Sequence, residues 1–235
     1  LIAGLIERCF CVLRFDNRDA GLSTQIDAFV PRGIAGALMR GAVGWPVDAP
    51  YRLSDMAADT VGLLDALGIA QAHVVGASMG GMIAQIVAAR YPQRVLSLTS
   101  IMSTSGARRL PPPRLDALLA LTRRPPRGAS HETLVDHYMK LFGMIGSPGG
   151  QTPEPLLRAR LQRSLSRAFR PAGTARQMLA IVASGDRCAE LATITAPTLV
   201  IHGAVDPLVP LAAGRDTARR IRGAELLIVP GMGHD

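Results

Sequence analysis

The chain has 235 residues, 48% hydrophobic and 19% charged, which is enough material for one sizeable core. No apolar run reaches the length of a membrane span, and no export signal opens the chain, so a cytoplasmic protein without membrane association is expected. The formal charge of +8 is concentrated in residues 108–187, where thirteen arginines and Lys140 stand against five acids; with arginine outnumbering lysine 25 to 1, aromatics at 4% and no nucleic-acid motif, this reads as a solvated basic helical face, not a nucleic-acid surface.

Residues 1–8 read as the tail of a helix, and "CFCVLRF" (9–15) as a strand-like apolar run. Cys9 and Cys11 would share one face of that strand. With Cys188 they make no disulfide framework, and with no Cys/His pair beside them they read as buried apolar thiols more than as metal ligands. "DNRDAGLST" (16–24) is a polar loop, and the Gly- and Pro-rich stretch 25–52 reads as mostly loop. Leu53, Met56, Ala57, Val61, Leu64 and Leu67 recur at helical spacing, with Ser54 as the expected N-cap and Gly68 as the stop. A short strand (72–77), a helix (79–91) halted before Pro92, and a strand (94–102) follow.

Residues 107–187 then contain helical stretches separated by "LPPPR", "RRPPRG", "GSPGGQTPEP" and "RPAG", with no strand pattern. Alternation resumes with strand 197–203, helix 211–221, strand 224–230 and the loop "GMGHD". Strands alternating with helices predict an α/β fold whose mainly parallel sheet has helices on both faces. Residues 1–106 and 188–235 would form the core, and the helical block 107–187 a cap or lid.

The stretch with chemical content is "VVGASMGGMIAQI", in which Gly76-Ala77-Ser78-Met79-Gly80 fits G-x-S-x-G between a strand and a helix. A sharp strand-to-helix turn strains the serine backbone, and small residues two before and two after it let neighbouring segments pass close by. The hydroxyl then stands exposed, and the N–H of Met79 at the helix N-terminus can hold an oxyanion. Asp206 follows strand 197–203, and His234 follows strand 224–230. Residues just past parallel strand ends converge on one sheet edge, so Ser78, Asp206 and His234 have the order and placement of a nucleophile, an acid and a base. His73 and His202, inside strand-like runs, are expected to be structural. His131 and His137 fall in the helical block and read as solvated, with substrate contact the alternative.

At these residues the chain resembles the α/β-hydrolase fold family. The likeness spans nearly the whole chain, through "RFDNRDAGLS", "HVVGASMGGMIAQ", "APTLVIHGAVDPLVP" and "AELLIVPGMGHD", and is nearest to bacterial esterases of the aclacinomycin methylesterase kind. The 3-oxoadipate enol-lactonases are similar but less close. The resemblance implies Ser78 as nucleophile, Asp206 as triad acid, His234 as base, and residues 107–187 as a lid over an acyl pocket. The serine sets it apart from the epoxide hydrolases and haloalkane dehalogenases of the fold, which carry aspartate there. It implies carboxylic ester hydrolysis without metal or organic cofactor. Lactonase and cofactor-free perhydrolase chemistry on the same triad, or a non-catalytic binding protein or inactive fragment on the same fold, are the alternatives. The lid's Leu, Met and Ala content suggests a small-molecule ester with apolar groups, its arginines pointing outward.

The family sheet has eight strands, whereas five are expected here, matching the fourth to the eighth. The N-terminal strands, the loop carrying the second oxyanion donor and the C-terminal helix are expected to lie outside the chain.

Overall fold

A computed structural model describes residues 2–27, 34–126, 128–150 and 152–235. Four strands, β1 (Ala72–Ala77), β2 (Val95–Ile101), β3 (Thr198–Gly203) and β4 (Glu225–Val229), form one sheet in the order β1-β2-β3-β4. Every neighbouring pair is parallel. Ten helices are described: α1 (Ile2–Ile6), α2 (Ala35–Ala42), α3 (Leu53–Ala66), α4 (Met79–Arg90), α5 (Leu115–Thr122), α6 (His131–Ile145), α7 (Glu154–Arg167), α8 (Pro171–Ser184), α9 (Cys188–Leu191) and α10 (Leu211–Arg220). Parallel neighbours need a crossover, which α4 supplies between β1 and β2 and α10 between β3 and β4. Helices α5 to α8 all fall between β2 and β3, where the sequence has its helical block.

The strand registers divide the sheet into two unequal faces. Gly76, Leu98, Ser100, Val200 and His202 lie on the face under the helices and are buried. There Leu98 joins the core formed by Leu53, Met56, Met82, Ile86, Leu191 and Ile221. Each such side chain contributes about 1.5–3 kcal/mol through removal from water. Helix α4 is buried on almost every side, which explains why its sequence shows an apolar run in place of an apolar stripe. On the opposite face Val75 and Leu227 are exposed.

Three local expectations need correction. Residues 9–15 pair with no strand, and the described sheet begins at β1. Strand-like composition makes a strand only where a partner accepts its backbone bonds, and this segment has none among the described residues. Phe10 meets His73 of β1 edge-on through its ring alone, with Phe10, Leu13 and Phe15 all exposed. For the same reason Cys9 and Cys11 are exposed thiols, not buried ones. The stretch 25–52, read as mostly loop, is so among the described residues apart from α2, with residues 28–33 outside those described. Helix α3 is preceded by Arg52, whose N–H donates to the Asp55 carboxylate at 2.7 Å, so Ser54 sits inside the first turn and not at the cap.

The polar loop 16–26 is held by charge. Asp19 is fully buried in the left-handed region (φ 67°) and accepts from Arg176 of α8 at 2.7 Å on each oxygen, from the Tyr51 hydroxyl at 2.8 Å and from the Ile26 N–H at 2.8 Å. Arg18 pairs with Asp59 of α3, and Arg167 of α7 with Asp16. The loop therefore fastens α7 and α8 to α3. At the two roots of the helical block, the Arg187 N–H donates to the Ser105 carbonyl at 3.0 Å. The buried Arg187 guanidinium donates to the carbonyls of Thr104 and Gly185, and burial pushes its pKa down to about 10.

These pairs carry a pH dependence. Burial alone would raise the Asp19 carboxyl, but the bonds from Arg176, Ile26 and Tyr51 together hold it below 3.8. Asp216 is likewise raised by burial and lowered further by Arg220 and Ser105, and Asp16 is lowered by Arg167. Depressed folded values mean that the unfolded chain takes up these protons first. The stabilisation is whole above the unfolded aspartate value and is lost as pH falls through the folded ones. Urea midpoints are expected to drop between about pH 5 and pH 2, and less steeply in Asp16→Asn/Asp216→Asn. Equal pH slopes for variant and parent would show that these pairs do not carry the effect.

Candidate active site

Strand β1 ends at Ala77 and α4 begins at Met79, which leaves Ser78 to make the entire turn. It does so at φ 52° and ψ −119°, a strained conformation for a residue with a side chain. Its N–H donates to the Ile101 carbonyl at 2.9 Å, and its carbonyl accepts from the Ser103 hydroxyl at 2.9 Å. A Cβ on Gly76 would stand 2.1 Å from the Gly80 carbonyl oxygen, so that position admits only glycine. Gly80 itself has open space around an added Cβ. The second close approach belongs to Gly81, against Ser103, one position later than the motif argument places it.

The acid and the histidine arrive from the far side of the sheet. Beyond β3, Asp206 is buried and its Oδ1 accepts from the N–H groups of Leu208 and Val209 at 2.9 and 2.8 Å. Beyond β4, the loop of His234 crosses so close over β3 that a Cβ on Gly203 would lie 2.2 Å from the Met232 carbonyl oxygen. The His234 N–H donates to the Ile145 carbonyl at the end of α6, and the Asp235 carboxylate accepts from Ser147. The helical block thus braces the histidine loop directly.

Ser78, Asp206 and His234, widely separated in sequence, meet in a chain of contacts. His234 Nδ1 is 2.7 Å from Asp206 Oδ2, and Nε2 is 2.9 Å from Ser78 Oγ. The carboxylate can only accept, so Nδ1 carries the proton and the Nε2 lone pair faces the serine hydroxyl. His234 is itself buried, and little water competes for that lone pair. The arrangement can deprotonate a serine as it attacks. Met79 opens α4 beside it, where first-turn N–H groups have no partner within the helix.

Sequence reasoning placed these four residues and missed their supports. Ser103 sits just beyond β2, at the same strand edge as Ser78, and that placement was the available signal. His202, read as structural, is fully buried, with Nε2 donating to the Val209 carbonyl at 2.8 Å. It lies 3.8 Å from Asp206 Oδ2, too far for a hydrogen bond, and steadies the turn 206–209 instead. His131 Nε2 lies 3.4 Å from Ser166 Oγ, and the His137 ring stands edge-on to Tyr138. Among the described residues no group of three or more His, Cys, Asp or Glu side chains could hold a metal ion.

Residues 2–235 match the family model described as alpha/beta hydrolase fold. The chain belongs to the α/β hydrolase fold family. Within it, the chain is 30% identical to rhodomycin D methylesterase DauP of Streptomyces sp. (strain C5), over 95% of this chain and 74% of that protein. A 2-hydroxy-6-oxononadienedioate/2-hydroxy-6-oxononatrienedioate hydrolase of Paraburkholderia xenovorans (strain LB400) is 28% identical, over 92% and 75%. Among solved α/β hydrolase structures, the enol-lactonase from Burkholderia xenovorans LB400 superposes with a TM-score of 0.66 at 24% identity, over 93% of this chain and 72% of that one. These relatives are hydrolases of small molecules. No described helix is long and apolar enough to cross a membrane.

Proposed function

We propose that the chain is a serine hydrolase that cleaves carboxylic esters through an acyl-enzyme. The observation that carries this reading is the continuous contact Ser78 Oγ–His234 Nε2, His234 Nδ1–Asp206 Oδ2. Ser78 attacks the ester carbonyl while His234 takes its proton, and Asp206 holds the ring in that tautomer and stabilises its charged form. The Met79 N–H supports the oxyanion of the tetrahedral intermediate. His234 returns the proton to the departing alkoxide, then deprotonates the water that releases the acid. The methylesterase likeness supports an ester over a lactone. Residues 107–187 act as the lid, held at its roots by the Ser105–Arg187 contact and braced against the His234 loop by Ile145. No step calls for a cofactor.

A shared acyl-enzyme has a kinetic signature. With methanol added, phenyl and p-nitrophenyl acetate are expected to give the same ratio of methyl acetate to acetic acid, because both pass through one acetylated Ser78. A ratio that changes with the leaving group would remove the common intermediate.

A further inference from the structure

Helices α5 and α6 stand side by side with a cavity of about 610 Å³ between them, within the size range of small-molecule sites, about 300–1,000 Å³. None of its lining residues belongs to the triad, and none lies on a strand. From α5 it takes Asp116, Leu119, Ala120 and, just past the helix end, Arg123 and Arg124, a set that repeats every three or four residues and so forms one helix face. From α6 it takes the matching face, including Asp136, Lys140, Leu141 and Met144.

The lining has two chemistries. Leu119 and Met144 present apolar surface to the solvent, at 60% and 46% exposure. The charges do not cancel. Asp116 is engaged by Arg114, and Asp136 by Arg158, neither of which lines the cavity. Arg123, Arg124 and Lys140 have no carboxylate partner among the described residues. Three free cations therefore border an apolar trough.

We propose that this trough is a binding site for an amphipathic carboxylate, its apolar body against Leu119, Leu141 and Met144 and its carboxylate among Lys140, Arg123 and Arg124. Charge complementarity selects the anion, since a neutral or cationic amphiphile leaves Arg123, Arg124 and Lys140 without a counter-charge. The lid arginines thus divide into two groups. Arg158, Arg167 and Arg176 are spent on ion pairs within the fold, and Arg123 and Arg124 form none among the described residues. The trough also adjoins the candidate active site through backbone contacts. The Arg114 N–H, one residue before α5, donates to the Pro207 carbonyl beside Asp206, and α6 ends at the carbonyl that receives the His234 N–H. Arg123 lies seven residues along from Asp116, roughly 10 Å of helix, so the carboxylate sits at the outer end. The site does not depend on the chemistry at Ser78.

The test is isothermal titration of the full chain with octanoate, octan-1-ol and octylammonium, each below its aggregation limit. Octanoate is expected to bind one to one and about tenfold more tightly than the other two. Arg123→Gln/Lys140→Gln is expected to lose about tenfold of that affinity with an unchanged melting temperature, because both side chains are exposed. Lys140→Arg, which keeps the charge, is expected to retain it. Octanol binding as tightly as octanoate, or a glutamine variant binding octanoate like the parent, would overturn the proposal.

Discussion

Replacing Ser78 by alanine is expected to lower kcat for p-nitrophenyl ester hydrolysis on the order of 10⁴–10⁶-fold, with little change in melting temperature. The two outcomes separate because, among the described residues, the hydroxyl's one side-chain hydrogen bond is with His234 Nε2, whereas the turn is held through the Ser78 backbone. The Ser78 N–H to Ile101 and the Ser103 hydroxyl to the Ser78 carbonyl both survive the substitution. The strain at φ 52° also survives, since alanine carries the same Cβ. Steady-state kinetics together with a thermal melt checks both halves. Activity within tenfold of the parent would remove Ser78 from the chemistry, and a collapse of the melt would make it a structural residue.

Arg176→Met is expected to cost about 3–5 kcal/mol, the largest stability loss from a single substitution outside the apolar core. The guanidinium is 3% exposed and meets Asp19, itself 1% exposed, on both oxygens. Removing it leaves a buried carboxylate with the Tyr51 hydroxyl and the Ile26 N–H as its donors among the described residues, too little to offset its desolvation. Asp19→Asn/Arg176→Met removes both charges and is expected to be less damaging than Arg176→Met alone. Urea unfolding of the parent and both variants measures this. If the single variant costs under about 1 kcal/mol, the pair behaves like an exposed one and does not fasten α8 to the loop.

The sheet strands at 72–77, 95–101, 198–203 and 225–229 were legible because each is a short apolar run bounded by turn residues and separated by a helix. The meeting of Ser78, Asp206 and His234 followed from topology alone, since parallel strands deliver their C-terminal ends to one edge. Residues 9–15 failed because strand formation is a property of a pair, and their Phe, Val and Leu content says nothing about whether a partner is present. The exposure of Cys9 and Cys11 follows from the same failure. The Asp19–Arg176 pair joins residues 157 apart with no motif between them, so only folding makes it visible. The arginines of the helical block look alike in sequence, and partners on α6 and the 16–26 loop decide which are neutralised.

The central claim is that His234 and Asp206 activate Ser78 in the folded chain. Incubation with a fluorophosphonate, followed by peptide mass mapping, tests it without knowledge of the natural substrate, because the reagent phosphonylates an activated serine. The native chain is expected to carry one adduct, on the peptide containing Ser78, and to lose it in His234→Ala and in urea. An adduct on a different serine, or none on the folded native chain, would contradict the account.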